Sequence, residues 1–137
     1  MNRQELLSSL IKQFPYAYFG LSDDEYASMT EASYLKTGKY LKWIMRLFGI
    51  FNWTKKFQCD DFALVWAGMN NLRHAKGQGS SKEGVLGGIV WYKKDGELPH
   101  AANVIYGENG WRGLEPQTNE IFEFTQEERE SVWLVLM

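Results

Sequence analysis

Residues 99–118 read Pro99-His100-Ala101-Ala102-Asn103-Val104-Ile105-Tyr106-Gly107-Glu108-Asn109-Gly110-Trp111-Arg112-Gly113-Leu114-Glu115-Pro116-Gln117-Thr118. Two apolar-rich runs flank Asn109-Gly110, a dipeptide that favours the tight turn of a β-hairpin. If Asn109-Gly110 is a two-residue turn, Glu108 pairs with Trp111, and Ala102 faces Gln117. If the loop holds four residues, Tyr106 pairs with Trp111 and His100 faces Gln117. Paired residues share a face of the sheet and side chains alternate along each strand. In both registers His100, Glu115 and Gln117 therefore fall on one face, and Asn103 falls on the other.

Further strands are expected on either side of this hairpin, at 88–93, 121–124 and 131–137. Asp95-Gly96 marks a second hairpin turn. The first half reads as helical. Leu6, Leu7, Leu10, Ile11 and Phe14 recur at helical spacing, and Pro15 ends that run. Ser22 with Glu25 fits a capping box for a short helix over 23–32. A longer helix is expected over 34–48. It carries the apolar residues Tyr40, Leu41, Ile44, Leu47 and Phe48 and the basic residues Lys36, Lys39, Lys42 and Arg46, and Gly49 follows it. Such a helix suits an anionic surface. The ordinary reading is core packing with a solvated lysine face. Another helix opens at Cys59 and ends near Lys76, where His74 complements the helix dipole as a surface residue. Gly77 to Lys82 reads as a loop. Helices first and an antiparallel sheet second is the α+β pattern. A single domain over 1–137 is expected, with a helical half at 1–53 and the Cys59 helix plus sheet at 54–137.

The chain has 137 residues, of which 45% are hydrophobic, enough for a core of its own. Its 15 basic and 17 acidic residues nearly cancel, so no electrostatic footprint for nucleic acid stands out. One cysteine forms no internal disulfide, which suggests a reducing, cytoplasmic location. The polar start Met1-Asn2-Arg3-Gln4-Glu5 argues against a classical signal peptide. The apolar stretch from Trp43 to Phe51 is too short to span a bilayer.

Cys59 is followed by Asp60 and Asp61 in the first turn of its helix. The helix dipole lowers a thiol pKa there, while the two aspartates oppose ionisation. A thiol, then His100, then Glu115 are the parts needed for nucleophilic catalysis. Each residue also has a plain structural role: a small buried hydrophobe, a strand start after proline, and a strand exit.

Cys59-Asp60-Asp61-Phe62-Ala63, His100-Ala101-Ala102-Asn103-Val104 and Glu115-Pro116-Gln117-Thr118 together resemble the papain-like protease domain at the C-terminus of a fungal agglutinin, and its small stand-alone relatives. The resemblance covers about residues 57–124. It implies a papain-like fold with the nucleophile at a helix N-terminus. It also implies a Cys59, His100, Glu115 triad with Gln117 beside it, acting on a peptide or amide bond in a protein or peptide substrate. The oxyanion glutamine of papain has no counterpart, since Trp53 stands there, and Gln58 adjoins the thiol. That agglutinin domain is calcium-dependent. No cofactor is required by the triad itself, but Asp60, Asp61 and Glu115 are candidate oxygen ligands for calcium. Two other functions remain open: a cell-wall amidase of the CHAP or NlpC/P60 kind, and a non-catalytic interaction module that keeps the fold without turnover. Oligomeric state is not legible.

Overall fold

The computed structural model describes residues 1–52, 54–55, 57–78 and 84–137. Most of the loop expected over 77–82, and Trp53, lie outside the described residues. The chain order is α1 (Arg3–Gln13), β1 (Tyr18–Gly20), β2 (Tyr26–Ala27), α2 (Glu31–Leu47), α3 (Cys59–Gln78), β3 (Gly84–Val85), β4 (Gly87–Lys94), β5 (Leu98–Gly107), β6 (Gly110–Glu115), β7 (Glu120–Phe122), α4 (Gln126–Ser131) and β8 (Leu134–Leu136). The architecture is α+β, as expected.

Six strands form one sheet in the order β1-β8-β4-β5-β6-β7. The β1–β8 pair is parallel and the other neighbours are antiparallel. A small parallel pair, β2–β3, sits apart. At the deciding hairpin Tyr106 pairs with Trp111 and Gly107 with Gly110, the second of the two registers considered. The turn residues are thus Glu108 and Asn109, and Gly110 follows at φ 78°, where a Cβ would be strained. The first hairpin turns at Asp95 and Gly96, both at positive φ.

Alternation along the strands gives the sheet two buried faces. On one, Val90, Tyr92, Ala102 and Val104 pack against Leu6, Leu10 and Phe14 of α1 and against Phe124. On the other, Ile105 and Leu114 meet Phe62 and Trp66 of α3, with Tyr34 and Leu41 of α2 layered behind. Burying side chains of this size stabilises by about 1.5–3 kcal/mol each before entropy is charged. The Asn2 and Thr30 side chains cap α1 and α2.

Several expectations need correction. The helix over 23–32 does not form. Ser22 accepts no capping role: its N–H and its hydroxyl both donate to Met137 O, at 3.0 and 2.9 Å. Tyr26 and Ala27 pair with β3 instead, and the helix starts at Thr30. Long-range backbone pairing outweighs the local signal. Residues 131–137 are not one strand, because α4 occupies up to Ser131. His74, expected on the surface, is buried with Nε2 lacking a hydrogen-bond partner. Tyr40, Leu47 and Phe48, expected to pack, are exposed; α2 buries Tyr34, Thr37, Gly38, Leu41 and Met45 instead.

Candidate functional site

His100 lies near the start of β5, directly opposite Tyr92 on β4. Their rings meet edge-on with centroids 5.7 Å apart. His100 Nε2 sits 2.7 Å from Glu115 Oε2, and the two side chains are only 13% and 14% exposed. Glu115 Oε1 accepts the N–H of Gln117 at 3.2 Å. The carboxylate is therefore fixed at both oxygens, and it fixes the imidazole in turn. No hydrogen bond to the other ring nitrogen, Nδ1, is found among the described residues.

Strand parity accounts for this pairing. Glu115 shares a face with Ala102, so it reaches His100 diagonally across the hairpin. Asn103 points to the opposite face, where its Nδ2 donates to Ala63 O of α3 and to Gly88 O of β4, both at 3.0 Å. It ties helix to sheet and does not enter the site.

Cys59 is the first residue of α3, half-buried and with a free thiol. No hydrogen bond joins it to His100 among the described residues. Cys59 lies close enough to Tyr92 to contribute to its electrostatics. Burial chiefly, then Glu128, Glu115, Asp95 and finally Cys59, hold the Tyr92 phenol well above its ordinary pKa. Asp61 accepts the Gln58 N–H at 2.8 Å and so secures the helix start. Among the described residues no group of three or more His, Cys, Asp or Glu side chains could hold a metal ion.

Gln117 lies in the turn that follows β6, past the point where strand parity applies. Its backbone belongs to the His100–Glu115 network. Its side chain lines a cavity of about 230 Å³ between this turn, α2 and α3. Lys42, Arg46, Phe62 and Pro116 also line that cavity. Lys42 Nζ donates to Thr118 O at 2.9 Å, which ties α2 to the turn. Asn119, at φ 63°, closes the turn by donating from its amide to Leu35 O at 3.0 Å. The basic cavity and Tyr92 were not recognised as site elements in the sequence. The only available signals were the lysine spacing of α2 and the strand alternation that turns Tyr92 inward.

No family model matches the sequence, and no curated protein matches it. Solved structures do match. One, described as a complex of PSL1a, a Polyporus squamosus lectin, with E64, aligns with a TM-score of 0.81 and 18% identity. Another is Polyporus squamosus lectin bound to the human-type influenza-binding epitope Neu5Aca2-6Galb1-4GlcNAc, with a TM-score of 0.77 and 17% identity. Both alignments cover 100% of this chain, and 51% and 49% of the lectin chains.

This chain shares the fold of about half of a lectin chain.

That finding corrects the expected identity. The matching structures are named as a lectin and not as a protease domain, so the readings as a papain-like cysteine protease, a thiol hydrolase with a catalytic triad and a peptide-substrate enzyme are set aside. A residue order of thiol, histidine and glutamate does not by itself fix a function, because one fold hosts many functions. No helix of the described residues is long and apolar enough to cross a membrane.

Proposed function

We propose that this chain is a non-catalytic recognition module on a papain-like scaffold, and that its ligand is an acidic, hydroxyl-rich carbohydrate. The cavity of about 230 Å³ beside Gln117 carries this reading. Its size suits one sugar ring rather than a drug-sized ligand. Lys42 and Arg46 at its lining suit a carboxylate, the Gln117 amide both donates and accepts, and Phe62 offers an apolar wall. Glu115, Pro116 and Gln117 connect the cavity along the chain to the His100–Glu115 pair. Cys59 and His100 then act as parts of a binding surface, with Glu115 as the positioning residue. Likeness along the whole chain to part of a sialoglycan-bound lectin supports the choice of ligand.

Isothermal titration with Neu5Aca2-6Galb1-4GlcNAc and with its unsialylated disaccharide tests the reading. The sialylated ligand is expected to bind and the disaccharide to bind at least about tenfold more weakly, since a charged hydrogen bond contributes about 1.5–3 kcal/mol. Lys42→Ala with Arg46→Ala should remove the difference. No heat with either ligand, or heat unchanged in the double variant, would refute it.

A further inference from the structure

The outward face of α2 presents apolar groups where a packed helix presents charge. Tyr40, Trp43 and Leu47 recur at three- and four-residue steps opposite the buried stripe, and are 47%, 60% and 66% exposed. Phe48, at 76% exposure, follows at the helix end, where Gly49 at φ 69° turns the chain. Isolated exposed apolar residues are ordinary, but four large ones within one short stretch of chain, three of them aromatic, are not.

Charge accompanies the ridge. From Ala32 to Cys59 the sequence has no aspartate or glutamate, yet it holds Lys36, Lys39, Lys42, Arg46, Lys55 and Lys56. The chain as a whole carries a net charge of −2, whereas this stretch is positive. Lys36, Lys39, Lys42 and Arg46 enter none of the ion pairs among the described residues. Arg73 of α3 adds a cation over the Tyr40 ring, 5.5 Å from its centroid. A soluble partner with a flat neutral surface would leave these charges unmatched.

We propose that this ridge docks on an anionic lipid surface, with α2 lying in the plane of the headgroups. Trp43, Leu47 and Phe48 enter the boundary between headgroups and acyl chains. Lys36 and Lys39 meet the lipid phosphates and serines. Tryptophan and tyrosine favour that depth because one end of the ring is apolar and the other polar. Basic residues near an anionic leaflet add to the attraction in proportion to their number. The binding is peripheral, and the residues that define it, Lys36, Lys39, Trp43 and Leu47, do not line the cavity beside Gln117.

Vesicle flotation of the full chain tests this, with phosphatidylcholine vesicles containing about 30% phosphatidylserine compared with pure phosphatidylcholine. Preferential binding to the anionic vesicles is expected, falling as salt is raised from about 0.1 to 0.5 M because the Debye length shortens. Lys36→Glu with Lys39→Glu should lower partitioning by at least about tenfold. Trp43→Ala with Leu47→Ala should do the same without changing the salt dependence. These side chains are exposed, so melting temperatures should stay near wild type, and a circular dichroism melt of each variant checks this. Equal binding to both vesicle types, or no binding to either, overturns the proposal. So does sedimentation showing a wild-type dimer that Trp43→Ala dissolves, because the ridge is then an interface between copies.

Discussion

Asn103→Ala should destabilise the protein by about 2 kcal/mol while leaving ligand recognition intact. Asn103 is fully buried, and its Nδ2 bridges Ala63 O and Gly88 O. Truncation strands two carbonyls away from water, each at a cost of about 1–3 kcal/mol. The low end applies, because both carbonyls belong to regular elements. Removing Oδ1, which is buried without a partner, returns part of that cost. For a chain of 137 residues, the net loss corresponds to a fall in Tm of about 6–10 °C. Asn103→Asp separates hydrogen bonding from packing. It keeps the volume but aims a carboxylate at two carbonyl oxygens, so it should be worse than alanine. Urea unfolding with an unchanged m-value, backed by calorimetry, is the assay. A loss below about 0.5 kcal/mol for alanine, or an aspartate variant as stable as wild type, would refute the claim that this side chain joins α3 to the sheet.

Gly38→Ala should destabilise despite the better helix propensity of alanine, by about 1–3 kcal/mol in a thermal melt. A Cβ there collides with the side chain of Asn119, so the turn bearing Gln117 must shift and carbohydrate affinity should fall as well. Tyr34 and Tyr92 should respond unequally to phenylalanine. The Tyr34 hydroxyl shares its proton between Leu86 O and Tyr106 O and accepts the Met29 N–H, so Tyr34→Phe should cost about 1–3 kcal/mol in denaturant unfolding. The Tyr92 hydroxyl makes no such bond among the described residues, and Tyr92→Phe should be close to neutral. Both phenols are pushed above their ordinary value of 10.0, chiefly by burial, so the fold favours their neutral forms. Their contribution is complete below that value and is lost as pH rises past it. Stability measured across the alkaline range should therefore decline more steeply in wild type than in the double phenylalanine variant.

Much of the sheet was legible because its signals are local and agree with one another. Asn109-Gly110 and Asp95-Gly96 mark the hairpins, and period-two alternation placed His100 with Glu115 and turned Asn103 away in either register. The pairing of His100 and Glu115 needed only the parity of two strands. Gln117 was legible only in part, because β6 ends at Glu115 and a turn, not a pleat, then sets direction. The helix expected over 23–32 was misread because the structure there depends on partners far along the chain, at β3 and at the carbonyl of Met137. The helix α4 did carry a signal, Thr125 with Glu128 in a capping box, but six residues leave little periodicity to confirm it. Function was the least legible layer. Cys59, His100 and Glu115 occur in the order of a hydrolase, yet chain order alone does not fix a function, while the basic cavity arises from α2 approaching a turn about 75 residues later.

The central claim, that the Cys59–His100–Glu115 region recognises a ligand rather than supplying a nucleophile, is tested most directly by alkylation of Cys59. Iodoacetamide labelling at about pH 6 reads thiolate content, because an ordinary thiol is almost fully protonated there. No hydrogen bond links the thiol to His100, and Asp60 and Asp61 adjoin it. Wild type and His100→Ala should therefore label at rates within about twofold of each other, and neither should exceed the denatured chain. Wild type labelling at least about tenfold faster than both would contradict the account, because it would mean that an imidazolium holds Cys59 as a thiolate.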